Sequence, residues 1–341
     1  MRQSYVRISG LGNYHPKNKL NNDVIFEHFR KHGKDVESLY AHLGREERYY
    51  ADPEETGITM GAIAAKRALE HANLDPLQVG MIVFASDTPE YLIPTNALLI
   101  SREVGTNNAH IVYDFNANCT GIITAIDQIY RYMVHKKVRY ALLVSSILIS
   151  PWSNKDDELY YGAWGDSSAA VVLELVESET PVGVLDSEYY SDTSFYRMTT
   201  MPDSGLSRIH DESLPLPKRK GGWEPVDFGF LPEKWNILIR EMTQRNGITQ
   251  HQVDHFIFSQ FSITAIREVM ANLGLEDDPR LYTFVGNKYG YTGHTSPLFG
   301  LQHAIADGKI KDGDTVVFCS AGAGYIISTF LYKFDGKLLG K

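Results

Sequence analysis

The sequence predicts an α/β protein built from two related halves. Three observations carry that reading. Short apolar, β-branched segments alternate with segments whose apolar residues recur at helical spacing. The strand segments are apolar almost throughout, which places helices over both faces of a sheet. A helix, a short linker and a strand recur in each half: Leu74–Ala85 is echoed by the segment from Ile248 to Ser259, with Gln78-Val79 and Gln252-Val253 at the same point. The division falls near residue 175, giving halves 1–175 and 176–341.

Composition narrows the function. A chain of 341 residues, 43% of them hydrophobic, can bury a large core. The net charge of −9 argues against a nucleic-acid surface. Two cysteines, Cys119 and Cys319, are too few for a disulfide framework and suit a reducing compartment. The first ten residues hold no basic segment leading into an apolar run, so no signal peptide is predicted. No apolar run approaches the ~18 residues of a membrane span. The expectation is a cytoplasmic protein with no nucleic-acid and no membrane partner. No metal-ligand cluster or dinucleotide glycine motif is visible, so neither a metal nor a bound cofactor is expected.

Taken in order, Tyr5–Leu11 reads as the first strand, closed by Gly12–Pro16, and Asn21–Lys31 as a helix. Leu43–Tyr50 reads as a polar connector. Thr59–His71, rich in Ala and ended near Asn73, is a helix leading through Leu74–Gln78 into the strand Val79–Ala85. Leu92–Arg102 is predicted helical with Pro94 in its first turn. His110–Tyr113 is predicted as a buried strand, Val138–Ile149 and Ser167–Glu174 as two more. Residues 186–232 are the least regular, with Tyr189, Tyr190, Phe195, Tyr196, Trp223, Phe228 and Phe230 between Gly and Pro breaks. They read either as a surface excursion or as a lid facing a substrate or partner. In the second half, Glu233–Arg245, Ile263–Leu273 and Ser296–Asp307 are helices, while His255–Ser259, Leu281–Val285, Asp314–Cys319 and Tyr325–Tyr332 are strands.

The stretch Asp114-Phe115-Asn116-Ala117-Asn118-Cys119-Thr120-Gly121 carries the chemistry. It joins the strand ending at Tyr113 to a helix marked by Ile122, Ile126, Ile129 and Met133. Cys119 therefore sits at a helix start, where free N–H groups and the positive end of the helix dipole favour a thiolate nucleophile. The other reading of Cys119 is a small buried hydrophobe. Ala117, Thr120 and Gly121 leave room for a substrate.

Several motifs, in order and spacing, resemble the β-ketoacyl-ACP synthase III branch of the thiolase superfamily. They are Ile8–Pro16, Asn116–Gly121, Gly165–Glu174, Lys288–Thr292 and Gly322–Tyr325. The resemblance implies a thiolase-like five-layered αβαβα fold of two pseudo-symmetric halves, and a homodimer. It implies that Cys119 takes an acyl group from an acyl-CoA or acyl-ACP thioester, with an oxyanion site formed by its own N–H and the turn Gly322-Ala323-Gly324. It also implies acyl-CoA, and in some members acyl carrier protein, as the partner.

The departures from that family are informative. Its Pro-His-Gln-Ala-Asn motif aligns with Phe258-Ser259-Gln260-Phe261-Ser262, so Ser259 stands where the histidine would be. Its Gly-Asn-Thr motif aligns with Gly290-Tyr291-Thr292, so Tyr291 replaces the asparagine. Each offers one neutral hydrogen bond where the family's His/Asn pair stabilises an enolate, which speaks against ordinary malonyl decarboxylation. His294, three residues beyond Tyr291, is a candidate base or a structural histidine. Asp87 occupies a position resembling the catalytic glutamate of HMG-CoA synthases, and otherwise reads as an exposed loop acid. Arg267 is the nearest basic residue to where the family binds carrier protein. The expected activity is acyl transfer or condensation through acyl-Cys119, in atypical fatty-acid, polyketide or specialised metabolism. The alternative is a non-catalytic subunit paired with an active ketosynthase homologue.

Overall fold

The computed structural model describes residues 2–224, 226, 229–276 and 278–339. Phe228, one of the aromatic residues of the irregular stretch, lies outside them. In the first half the elements are β1 (Gln3–Tyr14), β2 (Asn18–Asn21), α1 (Asn22–Lys31), α2 (Glu37–Leu43), β3 (Glu47–Tyr50), α3 (Gly57–Ala72), β4 (Met81–Ala85), α4 (Asn96–Val104), β5 (Ile111–Phe115), α5 (Gly121–Lys136), β6 (Tyr140–Ile147) and β7 (Ser167–Ser178). Then follow β8 (Gly183–Phe195), β9 (Thr199–Thr200), β10 (Gly222–Trp223), α6 (Phe230–Arg245), β11 (His255–Phe258), α7 (Ile263–Asn272), α8 (Gly286–Tyr289), α9 (Ser296–Ala306), β12 (Thr315–Gly322) and β13 (Gly324–Lys333).

The apolar runs sort into two sheets. One has the order β1-β7-β6-β4-β5, with β4 parallel to β5 and β6 and the pairs β6–β7 and β7–β1 antiparallel. The other has the order β11-β12-β13-β8, with β11 parallel to β12 and the remaining pairs antiparallel. Read from β8 inward, the second sheet repeats the first strand for strand, and a parallel bridge between Phe256 and Tyr282 stands where β5 would be.

Burial places the helices. Ile122, Ile126 and Ile129 of α5 and Leu298 and Leu301 of α9 share one core with Val171 of the first sheet and Phe318 of the second. These two helices therefore fill the middle layer. Ala64, Ala68 and Ile100 of α3 and α4 cover the outer face of the first sheet. Trp235, Ile239 and Ile266 of α6 and α7 cover the outer face of the second. The result is the five-layered αβαβα fold, with both sheets apolar on both faces because both are covered.

Several elements depart from the sequence reading. The predicted helix Leu92–Arg102 starts only at Asn96, because the Asp114 carboxylate, reaching across from β5, accepts from the N–H groups of Asn96 and Ala97 at 2.8 Å each. Leu92 and Ile93 are left outside it, 75% and 88% exposed. The strand expected to be buried around Tyr113 is a half-buried sheet edge. The strand expected at Leu281–Val285 is reduced to the single bridge at Tyr282. The irregular stretch begins only after Phe195, since β8 pairs with β13 along its length.

The largest departure is the connector Leu43–Tyr50. Arg45 and Arg48 within it are 2% and 0% exposed. Arg45 donates to the carbonyls of Ala163, Leu43, Gln260 and Phe261, tying three distant segments together without a carboxylate. Burial, then the charge of Arg48, lowers its pKa to about 9, so it stays cationic at neutral pH. Arg48 donates to Asn22 Oδ1 at 2.8 Å and lies over the Tyr40 ring. Replacing Arg45 with Met strands several buried carbonyls, and denaturant titration is expected to give a loss of about 2–4 kcal/mol. Arg45→Lys is expected to recover little, because an ammonium lacks the planar fork. An unchanged midpoint in Arg45→Met would contradict this role.

Candidate functional site

The chain reverses direction at Asn118–Thr120, a short 3-10 turn that delivers Cys119 to the start of α5. Asn118 adopts φ 51°, a left-handed conformation that Asn tolerates. Its N–H bonds Asn116 Oδ1 at 2.9 Å, and its amide nitrogen Nδ2 donates to Ala323 O at 3.0 Å. From the other side Ser320 Oγ donates to Cys119 O at 2.7 Å. The turn is thereby pinned to the β12–β13 hairpin. Gly322 permits this approach, since a Cβ there would lie 3.2 Å from Cys119 N. Gly324, at φ +122°, lies in a region that side chains avoid.

The thiol meets three donors. Tyr291 OH and the N–H groups of Ala323 and of Cys119 itself hydrogen-bond the sulfur, and each favours thiolate. Burial opposes them and wins. With the nearby negative charge of Asp87 adding to it, burial pushes the thiol pKa up to about 12. The expectation that the helix start would leave a thiolate is therefore corrected. Amides and helix dipole are present, but a desolvated sulfur beside a carboxylate rests as the thiol.

The other candidates differ in where they lie relative to the nucleophile turn. Tyr291 is 2% exposed, packs against Trp164 and Phe261, and has its own pKa raised by burial and by Cys119. Ser259 is 1% exposed, faces the same cavity and accepts a long 3.5 Å bond from Ala321 N. His294 is buried behind the nucleophile turn, and a Cβ at Gly121 would lie 3.5 Å from its side chain. Its Nδ1 lies 2.5 Å from Ser145 Oγ. Its Nε2 comes within 3.3 Å of Asp87 Oδ1, but at an angle that makes no hydrogen bond, and both atoms lack a partner among the described residues. His294 thus turns its nitrogens to Ser145 and Asp87. Asp87 is the acid that acts on the thiol, and its side chain is only 18% exposed, which corrects the reading of it as an open loop acid.

An apolar cavity opens from Cys119. Its side chains with a thiol or hydroxyl are Cys119, Thr199, Ser259, Tyr291 and Tyr325, among Trp164, Trp223, Phe230 and Trp235. Met198, Thr199 and Trp223 come from the irregular stretch after β8, so part of that segment does face the site. Thr199 is fixed there by a 2.5 Å bond between its hydroxyl and Tyr160 OH. Arg267 lies on the exposed face of α7 and lines no part of the cavity.

Comparison with known proteins follows this geometry. Residues 113–193 match the family model of 3-oxoacyl-[acyl-carrier-protein] synthase III, and residues 243–334 match the model of its C-terminal part, together just over half of the chain. The chain belongs to the 3-oxoacyl-ACP synthase III family. This is a family of condensing, acyl-transferring enzymes with the thiolase fold. Among solved structures, the synthase III of Aquifex aeolicus VF5 is 24% identical, with 96% of this chain and 100% of that one aligned at a TM-score of 0.84. FabH of Pseudomonas aeruginosa PAO1 is 20% identical over 97% and 98%, with a TM-score of 0.87. OleA of Xanthomonas campestris is 20% identical over 98% and 100%, with a TM-score of 0.81. At these identities the structures establish the shared fold.

Within this synthase III frame, sequence reasoning missed three participants. Ser145, which holds His294, was signalled only by a Ser-Ser pair at the end of an apolar strand. Arg45, which grips the carbonyls beside Ser259, carried no signal. Trp235 sits at helical spacing with Leu231, Ile239 and Met242, and reads as core until the cavity is seen.

The electrostatics set a pH dependence. Iodoacetamide alkylation of Cys119 is expected to be slow at neutral pH and to rise through the alkaline range, far above the midpoint of about 8.5 for a free cysteine. Asp87→Asn removes the repulsion and is expected to lower the midpoint, while Tyr291→Phe removes a donor and is expected to raise it. A wild-type midpoint near that of free cysteine would contradict the assignment.

Proposed function

We propose that this protein is an acyltransferase that loads an acyl group from an acyl-CoA or acyl-ACP thioester onto Cys119 and passes it to a second substrate. The observation that carries the reading is the convergence of Tyr291 OH and the N–H groups of Cys119 and Ala323 on one sulfur at the head of an apolar cavity. In the loading step Asp87 accepts the thiol proton as the sulfur attacks the thioester carbonyl. The oxygen that gains charge takes the N–H groups of Cys119 and Ala323. The carrier thiolate leaves and takes the proton back from Asp87. In the second step an acceptor hydroxyl, amine or carbon acid gives its proton to Asp87 as it attacks the acyl carbon, and Cys119 departs and is reprotonated. His294, held by Ser145, lies 3.3 Å from Asp87 Oδ1 without bonding it and takes no proton in either step.

The acceptor follows from Ser259 and Tyr291. Ser259 Oγ accepts from Ala321 N at 3.5 Å, and Tyr291 OH donates to the sulfur. Neither hydroxyl can carry a positive charge, so the pair stabilises an enolate less than one that includes a protonatable histidine. We therefore favour a pre-formed nucleophile over a malonyl unit that must lose carbon dioxide. One observation favours the other reading, a non-catalytic partner subunit: burial keeps the thiol protonated.

Intact-mass spectrometry after incubation with a panel of acyl-CoAs separates the two. A single acyl adduct is expected, absent in Cys119→Ala and slowed on the order of a hundredfold in Asp87→Asn, the range of general-base catalysis. No adduct with any donor would leave the non-catalytic reading. Carbon dioxide release from malonyl thioesters is expected at the uncatalysed rate, and rapid release would overturn the argument from Ser259 and Tyr291.

A further inference from the structure

The acyl-transfer steps leave a buried charge unused. Arg45 lines no part of the cavity, yet it holds the backbone of the cavity wall. Its Nε donates to Ala163 O at 3.0 Å, and the same oxygen accepts from Tyr291 N at 2.9 Å. Gly165 N donates back to Tyr291 O at 3.0 Å, and a parallel bridge pairs Trp164 with Tyr291. Arg45 Nη2 donates to Gln260 O at 3.0 Å and to Phe261 O. Gly286, at the start of α8, leaves room for the guanidinium, since a Cβ there would lie 2.6 Å from Nη1.

These contacts converge on one ring. The Tyr291 ring packs against Trp164 at 4.7 Å and edge-on to Phe261 at 5.3 Å. Trp164 follows Ala163 in the chain, and Phe261 supplies one of the carbonyls that Arg45 holds. The backbone of Tyr291 and the two rings beside its side chain are thus tied to one planar group. The hydroxyl at the far end of Tyr291 meets the Cys119 sulfur. A planar fork with fixed donors holds such a set in place where a rotating ammonium does not.

The charge acts in the same direction. Among the described residues Arg45 donates only to carbonyls, and its cationic neighbour Arg48 to carbonyls and to Asn22 Oδ1. A buried cation without a counter-charge is unfavourable, and negative charge that appears beside it offsets that cost. Arg45 favours negative charge at Tyr291, and Tyr291 favours it at the sulfur. The sulfur is where negative charge develops as the thiol gives up its proton and again as Cys119 departs.

We propose that Arg45 is a positioning residue for the reacting sulfur: through Tyr291 it holds a hydroxyl donor on Cys119 and so stabilises the sulfur anion. Its purpose rests on the acyl-transfer reading, but its test reads the thiol itself. The titratable groups around the thiol are Tyr291 and Asp87, with Tyr160 and His294 beside Asp87; those around Arg45 are Arg48, Tyr40 and Tyr291.

Below the midpoint of the thiol, the alkylation rate at a fixed pH follows the thiolate fraction. Iodoacetamide alkylation at mildly alkaline pH is followed on the Cys119 peptide by mass spectrometry. Arg45→Lys and Tyr291→Phe are each expected to slow it about tenfold, as loss of a hydrogen bond to a charged group does. The double variant is expected to be no slower than Tyr291→Phe alone, because Arg45 acts through that hydroxyl. A residue that served stability alone would lower the unfolding midpoint and leave this rate unmoved. Should the lysine variant fold poorly, Arg45→citrulline keeps the shape and removes the charge, and the same slowing, absent in the Tyr291→Phe protein, is expected. Alkylation at the wild-type rate in the Arg45 variants, or slowing that multiplies in the double variant, overturns the proposal. If wild-type protein forms no acyl adduct while the dependence on both residues holds, the acyl-transfer reading falls and the assignment of Arg45 stands.

Discussion

The site depends on the docking of the nucleophile turn against the β12–β13 hairpin. Asn118 and Ser320 each donate one hydrogen bond across that seam, at 3.0 and 2.7 Å, and Gly322 removes the side chain that would hold the two apart. One partner comes from the first half of the chain and the other from the second. The pseudo-symmetric arrangement of two sheets around α5 and α9 therefore serves a local end. It brings the N–H of Cys119 and the N–H of Ala323 to a single point. Neither half has both.

Opposed forces set the state of the thiol. Three donors and a helix start favour the anion, while desolvation and the Asp87 charge favour the neutral form and prevail. A resting thiol suits a nucleophile that needs its base only when a thioester is present. His294 and Asp87 approach to 3.3 Å without bonding, which leaves Asp87 Oδ1 without a partner among the described residues. Tyr291 and Ser259 both present neutral hydroxyls there: the first meets the sulfur, and the second accepts from Ala321 N.

How much of this the sequence discloses depends on how local each cause is. The turn bearing Cys119 is legible because strand, small residues and helical period adjoin one another in a dozen positions. The repeat of helix, linker and strand foretells two related sheets for the same reason. The start of α4 is not legible, since the group that caps it, Asp114, comes from a different strand. Arg45 and Arg48 look like solvated charges until their carbonyl partners, contributed by residues as distant as Phe261, are brought in by the fold. His294 is recognised from its place on the loop, but its direction is set by Ser145 and Asp87, two residues far away in the chain. Trp235 has the spacing of a core residue, and only the cavity beside it distinguishes it from one.

The central claim is that the amides of Cys119 and Ala323 polarise an acyl group carried on the sulfur. Isotope-edited infrared spectroscopy of protein acylated with a carbonyl-13C acyl-CoA measures this directly. The account predicts a thioester carbonyl stretch at lower frequency in the folded acyl-enzyme than in the same adduct after denaturation. A stretch at equal or higher frequency in the folded protein would mean that the two N–H groups do not reach the carbonyl oxygen, and would contradict it.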